Sequence, residues 1–312
     1  MTPPADRLAI LFNPSAAAGK ALKKKSRLER LLNKWQVPFD LSVTASEEDL
    51  KARTRECAGR YRTLAGAGGD STFQIMAEEL VRSGADASLG LIALGSSNDI
   101  AREFDLLSME SACRALKRGR TRSIDLGTVE HEGRILRYFI GQANIGLGAR
   151  VNRHVKEYAE KHPRLAGFQS LAGTAGIIRC YRRKEVPIPL TVGAEGRRND
   201  GLYVVANFSN IRFWATGRLL NPSARPDDGR LDGCLIGNCS FSRLARLASL
   251  ARRGRHTGAP DVEFVRATEF EISSEKEFEV QADGEIVAER GTPRLFKNIT
   301  VRVVPGALRL II

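Results

Sequence analysis

A parallel α/β unit followed by a β-rich domain is the fold class this sequence predicts, and three observations predict it. The chain has 312 residues, which at about 150 residues per domain makes two domains the expectation. Up to about residue 127, short apolar runs alternate with stretches of helical periodicity, the rhythm of strand–helix–strand units sharing a parallel sheet. From about residue 133 the apolar runs continue, but the crossover helices thin out.

Leu8–Phe12 reads as the first strand, and Lys20–Lys34 as a helix with Leu22, Leu28, Leu31 and Leu32 spaced for one face. Tyr61–Ala67 reads as a strand ending in glycines, followed by a helix over Thr72–Arg82. Leu89–Leu94 is another strand, and Ser96–Asp99 supplies N-cap side chains for the helix after it. Three strand ends are thereby expected to deliver loops to one edge of one sheet. In the second half Ile135–Ala143, Ile188–Val192, Leu202–Phe208, Glu263–Ile272 and Ile299–Val304 are strand-like, with helices near 151–182 and 241–253. The domain boundary is placed between 128 and 129, so that the second domain covers 129–294 and the stretch 295–312 is a candidate to return to the first.

Composition narrows the function. Hydrophobic residues at 42% and charged residues at 27% exclude wholesale disorder. A formal charge of +13, from 49 Lys and Arg against 36 Asp and Glu, favours phosphates, nucleic acid or acidic lipid headgroups. The five cysteines form no CxxC pair, so neither a zinc site nor a disulfide framework is expected, and a reducing cytosol fits best. His131, His154, His162 and His256 show no metal spacing and are expected to be surface or structural. The N-terminal apolar run, preceded by Pro3, Pro4 and Asp6, is too short for a signal-peptide core or a spanning helix.

The chemistry concentrates in loops. Asn13-Pro14-Ser15 through Gly19-Lys20, Gly66 through Thr72, and Gly95-Ser96-Ser97-Asn98-Asp99 place small residues between strand ends and helix starts. There backbone N–H groups can approach an anion and the helix dipole favours negative charge. The alternative is ordinary strand-to-helix turns. Neither standard nucleotide fingerprint is present, since Ala21 follows Gly19-Lys20 and Asp70 and Ser71 follow Gly68-Gly69. An acidic residue in a phosphate loop repels phosphate unless a cation intervenes, so Asp70 and Asp99 read as Mg²⁺-holding groups. Farther on, Asn221–Asp232 and Ala282-Asp283-Gly284-Glu285 pack carboxylates among Gly and Pro, which is compatible with cation sites or with tight turns. Phe241–Arg255 reads as a basic amphipathic helix that either lies on an anionic bilayer or buries its leucines in the β domain. Nucleic acid is disfavoured because no recognised motif or aromatic–basic interleaving accompanies the charge.

The order of these motifs resembles the diacylglycerol-kinase-type lipid kinases, which include bacterial soluble diacylglycerol kinases, related bacterial lipid kinases and sphingosine kinases. Gly68-Gly69-Asp70-Ser71-Thr72 is similar to the family's GGDGT, and Gly95 through Arg102 to its GTxNDxAR. Ser123-Ile124-Asp125-Leu126-Gly127 resembles the I-D-L-G stretch, Pro222–Asp232 the P-x-A-x-x-D-D-G-x-L-D segment, and Asp283-Gly284-Glu285 the D-G-E triplet. Asn13-Pro14 with Gly19-Lys20, and Asn144 through Gly148, complete seven motifs in register over essentially the whole chain.

The resemblance implies a Rossmann-like parallel α/β nucleotide-binding domain, a C-terminal β-sandwich-like lipid-binding domain, and a cleft in which ATP phosphorylates a lipid hydroxyl. Asn13, Gly68, Gly69, Ser71, Thr72, Gly95, Ser96 and Asn98 would line the nucleotide phosphates. Asp70, Asp99 and Asp125 would form a water-linked acidic set around Mg²⁺, and Asp228, helped by the backbone of Arg230, would hold a structural cation. Glu285 would be the general base, with Asp70 the second candidate. The implied setting is cytoplasmic, with peripheral contact to anionic membrane, a lipid substrate, no nucleic acid, and a homodimer as one candidate state. Departures include Ser71 for a glycine, Ser96 and Ser97 for Thr and Gly, Ala93 for Pro, Ile75 for Glu, and Ala16–Ala18 in a loop usually richer in Ser and Gly. A left-handed backbone at Ser71 would cost about 1–2 kcal/mol. A non-catalytic nucleotide- or lipid-binding protein of this fold, and an NAD-kinase-like enzyme sharing the GGD motif, remain the alternatives.

Overall fold

The computed structural model describes residues 7–161, 169–289 and 292–312, so Pro3, Pro4, Asp6 and His162 lie outside the described residues. The chain forms two compact units, Met1–Asp125 with Gly306–Ile312, and Leu126–Pro305. The returning segment thus begins at Gly306, and the stretch from 296 to 305 belongs to the second unit.

The first unit runs β1 (Leu8–Phe12), α1 (Lys25–Lys34), β2 (Phe39–Val43), α2 (Glu47–Ala58), β3 (Thr63–Gly68), α3 (Asp70–Ser83), β4 (Ser88–Ala93), α4 (Asp99–Glu103) and α5 (Met109–Arg118). Its strands lie in the order β2-β1-β3-β4, all parallel. Arg309 and Leu310 extend this sheet beside β4, again parallel. β1 and β4 are buried at every position, which is why they read as unbroken apolar runs and not as alternation.

β2, α2 and α5 were not expected from the sequence. β2 is a partly exposed strand of mixed polarity, and α2 buries only Leu50 and Thr54, so neither carries a strong apolar period. The start signals are nonetheless there: Ser46 accepts from the Asp49 amide ahead of Glu47, Glu48 and Asp49, and Ser108 accepts from the Ser111 amide at the head of α5. The helix expected over 20–34 begins at Lys25, after a 3-10 turn at Leu22–Lys24.

The second unit is built on β5 (Thr121–His131), which enters it from the first, then β6 (Arg134–Phe139), β7 (Gln142–Gly146), α6 (Leu147–Lys161), α7 (Gln169–Arg182), β8 (Ile188–Ala194) and β9 (Arg197–Ser209). A small hairpin, β10 (Phe213–Trp214) with β11 (Arg218–Leu219), precedes β12 (Leu231–Gly237), α8 (Phe241–Ala251), β13 (Val262–Ala267) and β14 (Glu269–Phe278). The chain closes with β15 (Val280–Ala282), β16 (Glu285–Ile286), the pair β17 (Ala288–Glu289) and β18 (Thr292–Pro293), and the long β19 (Phe296–Ile311). Two runs read as single strands, 135–143 and 263–272, are each two strands separated by a short break.

The long β9 serves two layers. Its first half pairs with β8, which pairs with β14 and through it with β19. Its second half lies between β7 and β12, with β15 beyond β7 and β13 beyond β12. The apolar faces of these strands share a core containing Phe139, Phe208, Phe270, Phe278 and Phe296, each contributing about 1.5–3 kcal/mol by burial. Gly127 is required there, because a Cβ at that position would lie 1.9 Å from the Phe139 ring. α8 buries Leu244 and Leu247 in a second apolar cluster with Val204, Leu220 and Ile236, which leaves its arginine face, and not its leucine face, to solvent.

Candidate active site

In the first unit the loops after β1, β3 and β4 converge as expected from three adjacent parallel strands. Leu94 and Gly95 both donate their amides to the Gly68 carbonyl, at 2.7 and 3.1 Å. Gly95 packs backbone to backbone on Gly69, so closely that a Cβ on Gly95 would sit 2.5 Å from the Gly69 Cα. A Cβ on Gly68 would meet Thr72 Oγ1 at 2.2 Å. These three glycines are therefore demanded by close approach. Asn13 reaches across from β1: its amide bonds the Ala67 carbonyl, its Nδ2 donates to Thr72 Oγ1 at 3.0 Å, and its Oδ1 accepts from the Ser15 amide.

α3 starts on Gly69 in extended conformation with no side chain capping it, the arrangement that presents first-turn amides and the positive end of the helix dipole to an anion. Ser71 lies inside this helix, in ordinary right-handed backbone. The strain expected from a side chain at a left-handed position does not arise. Left-handed backbone falls instead on Asn98, with φ of 54°, and on Ala17, Ala18 and Gly19 of the first loop.

The three aspartates are each engaged by neighbours. Asp70 accepts from the amides of Asp99 and Ile100 at 3.2 and 3.1 Å, capping α4. Asp99 is buried and accepts from Ser97 Oγ at 2.8 Å, with Arg102 Nε 3.9 Å away. Asp125, also buried, accepts from the Gly306 amide at 2.8 Å and so ties down the returning strand. Among the described residues these carboxylates do not converge into a directly ligating trio. Carboxylate oxygens retain further lone pairs, and Mg²⁺ keeps several of its waters, so the donor set fits an ion linked through water. Asn98 donates to the Gly95 carbonyl at 2.9 Å while its buried Oδ1 has no hydrogen-bond partner. Ser96 is exposed at the rim.

In the second unit Asp283 and Gly284 are the central residues of a two-residue hairpin joining Ala282 to Glu285, both at positive φ, as a type I′ turn demands. The Asp283 carboxylate is buried and accepts from the amides of Ile140, Gly141 and Gln142 at 2.7–3.1 Å. Burial pushes it up to about 6, against the pull of those three amides. Asp283 is thus a structural group that fixes the turn, and the Gly284 carbonyl is held as well, by Asn152 Nδ2 at 2.5 Å. Glu285, half-buried, follows at the start of β16.

Asp228 was expected to hold a cation. Its carboxylate accepts from the Arg266 guanidinium and from the Arg230 amide at 3.2 Å, while the Arg230 side chain reaches Glu195. Asp232 lies 3.8 Å from Arg266 Nε, and burial raises its carboxyl to about 6 against that attraction.

One group of residues escaped sequence reasoning. Asn207 donates to Gln142 Oε1 at 2.7 Å and Asn144 Oδ1 at 2.8 Å, Asn144 donates to Gln281 Oε1 at 2.8 Å, and Asn221 donates to Asn207 Oδ1 at 2.5 Å. This buried amide chain runs across β9, β7 and β15 and locks the register of the strand that carries the Asp283–Glu285 turn. The signal was available: an Asn amid Val204-Val205-Ala206 and Phe208 is a polar side chain in an otherwise apolar strand.

Comparison with known proteins decides the family. Residues 7–129 match the diacylglycerol kinase catalytic domain, and residues 141–312 match the YegS C-terminal NAD kinase beta sandwich-like domain. The Pseudomonas aeruginosa PAO1 protein described as "Probable lipid kinase YegS-like" is 30% identical over 283 residues, covering 87% of this chain and 84% of its own. The chain belongs to the diacylglycerol kinase and YegS-like lipid kinase family. A Staphylococcus saprophyticus diacylglycerol kinase is 26% identical over 89% of this chain and 88% of its own. The crystal structure of a diacylglycerol kinase from Bacillus anthracis strain Sterne shares the fold, with a TM-score of 0.69 at 15% identity over 98% of this chain and 96% of that one. Membership in this lipid kinase family accounts for both domain types. Among the described residues no helix is long and apolar enough to cross a membrane.

Proposed function

We propose that the protein transfers the γ-phosphoryl group of ATP to a hydroxyl of a diacylglycerol-like or sphingoid lipid, with Mg²⁺. The observation that carries this reading is the glycine-on-glycine packing of Gly69 and Gly95 beside the uncapped start of α3. Such packing brings backbone amides to a phosphate without interposed side chains. Phosphoryl transfer asks little covalent work of a protein and depends on positioning and charge neutralisation. In this reading the amides of the Gly68–Thr72 and Gly95–Asn98 loops, with Asn13, Ser71, Thr72 and Ser96 around them, hold the phosphates. Asp70, Asp99 and Asp125 hold the metal through water, and the ion offsets phosphate charge. Glu285 takes the proton from the lipid hydroxyl, a contribution of about 10²–10⁴ in rate. The Asp283 anchor and the amide chain orient it through the backbone of their shared hairpin. Asp70 is the weaker candidate for the base, since both its oxygens already accept from the α4 amides.

Peripheral contact with anionic membrane at the cytoplasmic face is part of the same proposal. With Leu244 and Leu247 buried, exposed Arg246, Arg252, Arg253 and Arg255 are what α8 and its C-terminal turn offer, at about 1 kcal/mol per cation near a charged surface. The test is transfer of labelled γ-phosphate from ATP into an extractable total-lipid fraction, with Glu285→Gln beside wild type. Lipid label that falls about 10²-fold or more in the variant, at unchanged ATP affinity, is expected. Wild-type enzyme that binds ATP yet labels no lipid would refute the reaction, and an undiminished Glu285→Gln rate would refute the base.

A further inference from the structure

Cys180 and Glu185 lie five positions apart in the sequence, with no metal motif around them. The end of α7 brings them together. Lys184 adopts left-handed backbone with φ of 53°, its amide bonds the Tyr181 carbonyl at 3.2 Å, and the Glu185 amide bonds the Cys180 carbonyl at 2.9 Å. These are the two bonds of a Schellman motif, which folds the chain back over the last helical turn. The Glu185 carboxylate is thereby returned to the Cys180 thiol.

α6 supplies the third group. Gly176 precedes Cys180 by one helical turn and so shares its face. A Cβ on Gly176 would lie 3.4 Å from Val151 and 3.6 Å from the Cβ of His154, which shows how closely α7 approaches α6 at that level. His154 Nε2 then lies 2.9 Å from Glu185 Oε2, and one ligand atom each from His154, Cys180 and Glu185 falls within 4.8 Å of the others. Cys180 is fully buried and His154 is 6% exposed.

From this geometry we infer that His154, Cys180 and Glu185 form a site for a divalent ion of the zinc class, outside the kinase machinery. One thiolate, one imidazole and one carboxylate suit a borderline-soft tetrahedral ion, with the fourth position left to water. Thiolate and carboxylate together balance the ion's two charges. The nearby cations Arg150 and Arg153 are already engaged by buried Glu279, at 3.5 and 2.6 Å.

The other imidazole nitrogen supports the assignment. His154 Nδ1 is buried without a hydrogen-bond partner, 3.8 Å from Glu157 Oε2. An ion on Nε2 places the proton on Nδ1, where Glu157 orients the ring in the carboxylate–histidine–metal arrangement. Binding the ion replaces the S–H bond of the buried Cys180 thiol with a metal–sulfur bond and releases one proton.

The test uses the full chain, stripped with a chelator under reducing conditions and titrated with Co²⁺. Expected are one Co²⁺ per chain, a near-ultraviolet thiolate-to-cobalt charge-transfer band, about one proton released into weak buffer, and displacement of the band by Zn²⁺. Cys180→Ser is expected to abolish the band and Cys239→Ser to keep it. Glu157→Gln is expected to weaken Co²⁺ binding about 10–100-fold. Folded wild type without the band, or a band that survives Cys180→Ser, overturns the site and leaves a hydrogen-bonded histidine–carboxylate–thiol cluster. Should circular dichroism show Cys180→Ser unfolded, His154→Gln decides, with loss of the band supporting the site and retention overturning it.

Discussion

Replacing Gly95 with alanine is expected to damage stability and nucleotide binding together. The added Cβ would lie 2.5 Å from the Gly69 Cα and 2.8 Å from Asn98 Oδ1. The first obstacle is backbone, so no rotamer change relieves it, and the loops must part by about 0.9 Å to reach the 3.4 Å of ordinary contact. They are not free to part, because the Leu94 and Gly95 amides both bond the Gly68 carbonyl at 2.7 and 3.1 Å. Overpacking of this kind costs about 1–3 kcal/mol. A displacement near 1 Å in a phosphate-positioning loop is worth up to about 10²-fold in function. The assay is thermal melting with and without ATP and Mg²⁺, paired with calorimetric titration of ATP. Gly173→Ala is the control, since a Cβ there meets nothing within 4 Å and alanine in a helix is about 0.5–1 kcal/mol better than glycine. Wild-type melting and wild-type ATP affinity in Gly95→Ala would refute the packing argument. Lowered stability with unchanged ATP affinity would refute the phosphate role of the loops and leave the packing intact.

Three further outcomes are expected. Asp283→Asn offers one acceptor oxygen where the carboxylate offers two to the amides of Ile140, Gly141 and Gln142, so the urea midpoint should fall by the equivalent of about 1–3 kcal/mol for each amide left unpaired; an unchanged midpoint would contradict the anchor role. Asp232 has a folded-state pKa raised by burial from 3.8 to about 6, so the folded chain keeps a proton that the unfolded chain releases, and its stabilising effect is lost as pH rises through that window. Urea unfolding of wild type should therefore lose more stability than Asp232→Asn between those pH values, and parallel pH profiles would sink the assignment. Asp70→Asn removes one of the two acceptors that cap α4 and should lower stability by about 0.5–2 kcal/mol whatever it does to turnover; a melting temperature equal to wild type would show that the cap contributes nothing.

Much of the fold was legible because local chemistry and burial agree where the sheet is parallel. β1 and β4 are buried at every position, so their apolar runs stand out, and the glycines at the strand ends mark where two backbones touch. β2 and α2 were illegible for the same reason in reverse, since each buries too little to leave an apolar period. The motif residues of both units stood out by type and order, but type did not reveal what each one touches. Asp70 caps a helix, Asp125 pins a returning strand, Asp283 braces a hairpin, and Asp228 meets an arginine from β13. Asp70, Asp228 and Asp283 each stand beside a glycine, and that pairing has the same sequence appearance in all three settings.

By itself the sequence determined two domains, a parallel α/β half before a β-rich half, and the glycine-containing loops at the strand ends, because these depend on periodicity, turn residues and order along one chain. Tertiary structure alone decided which carboxylates are satisfied by amides or by Arg266, that α8 turns its leucines inward, and that amides from β9, β7 and β15 join. It also decided that His154, Cys180 and Glu185 meet. The physical reason is that a hydrogen bond or an ion site depends on distances of a few ångströms between groups far apart in sequence, and only packing sets those distances.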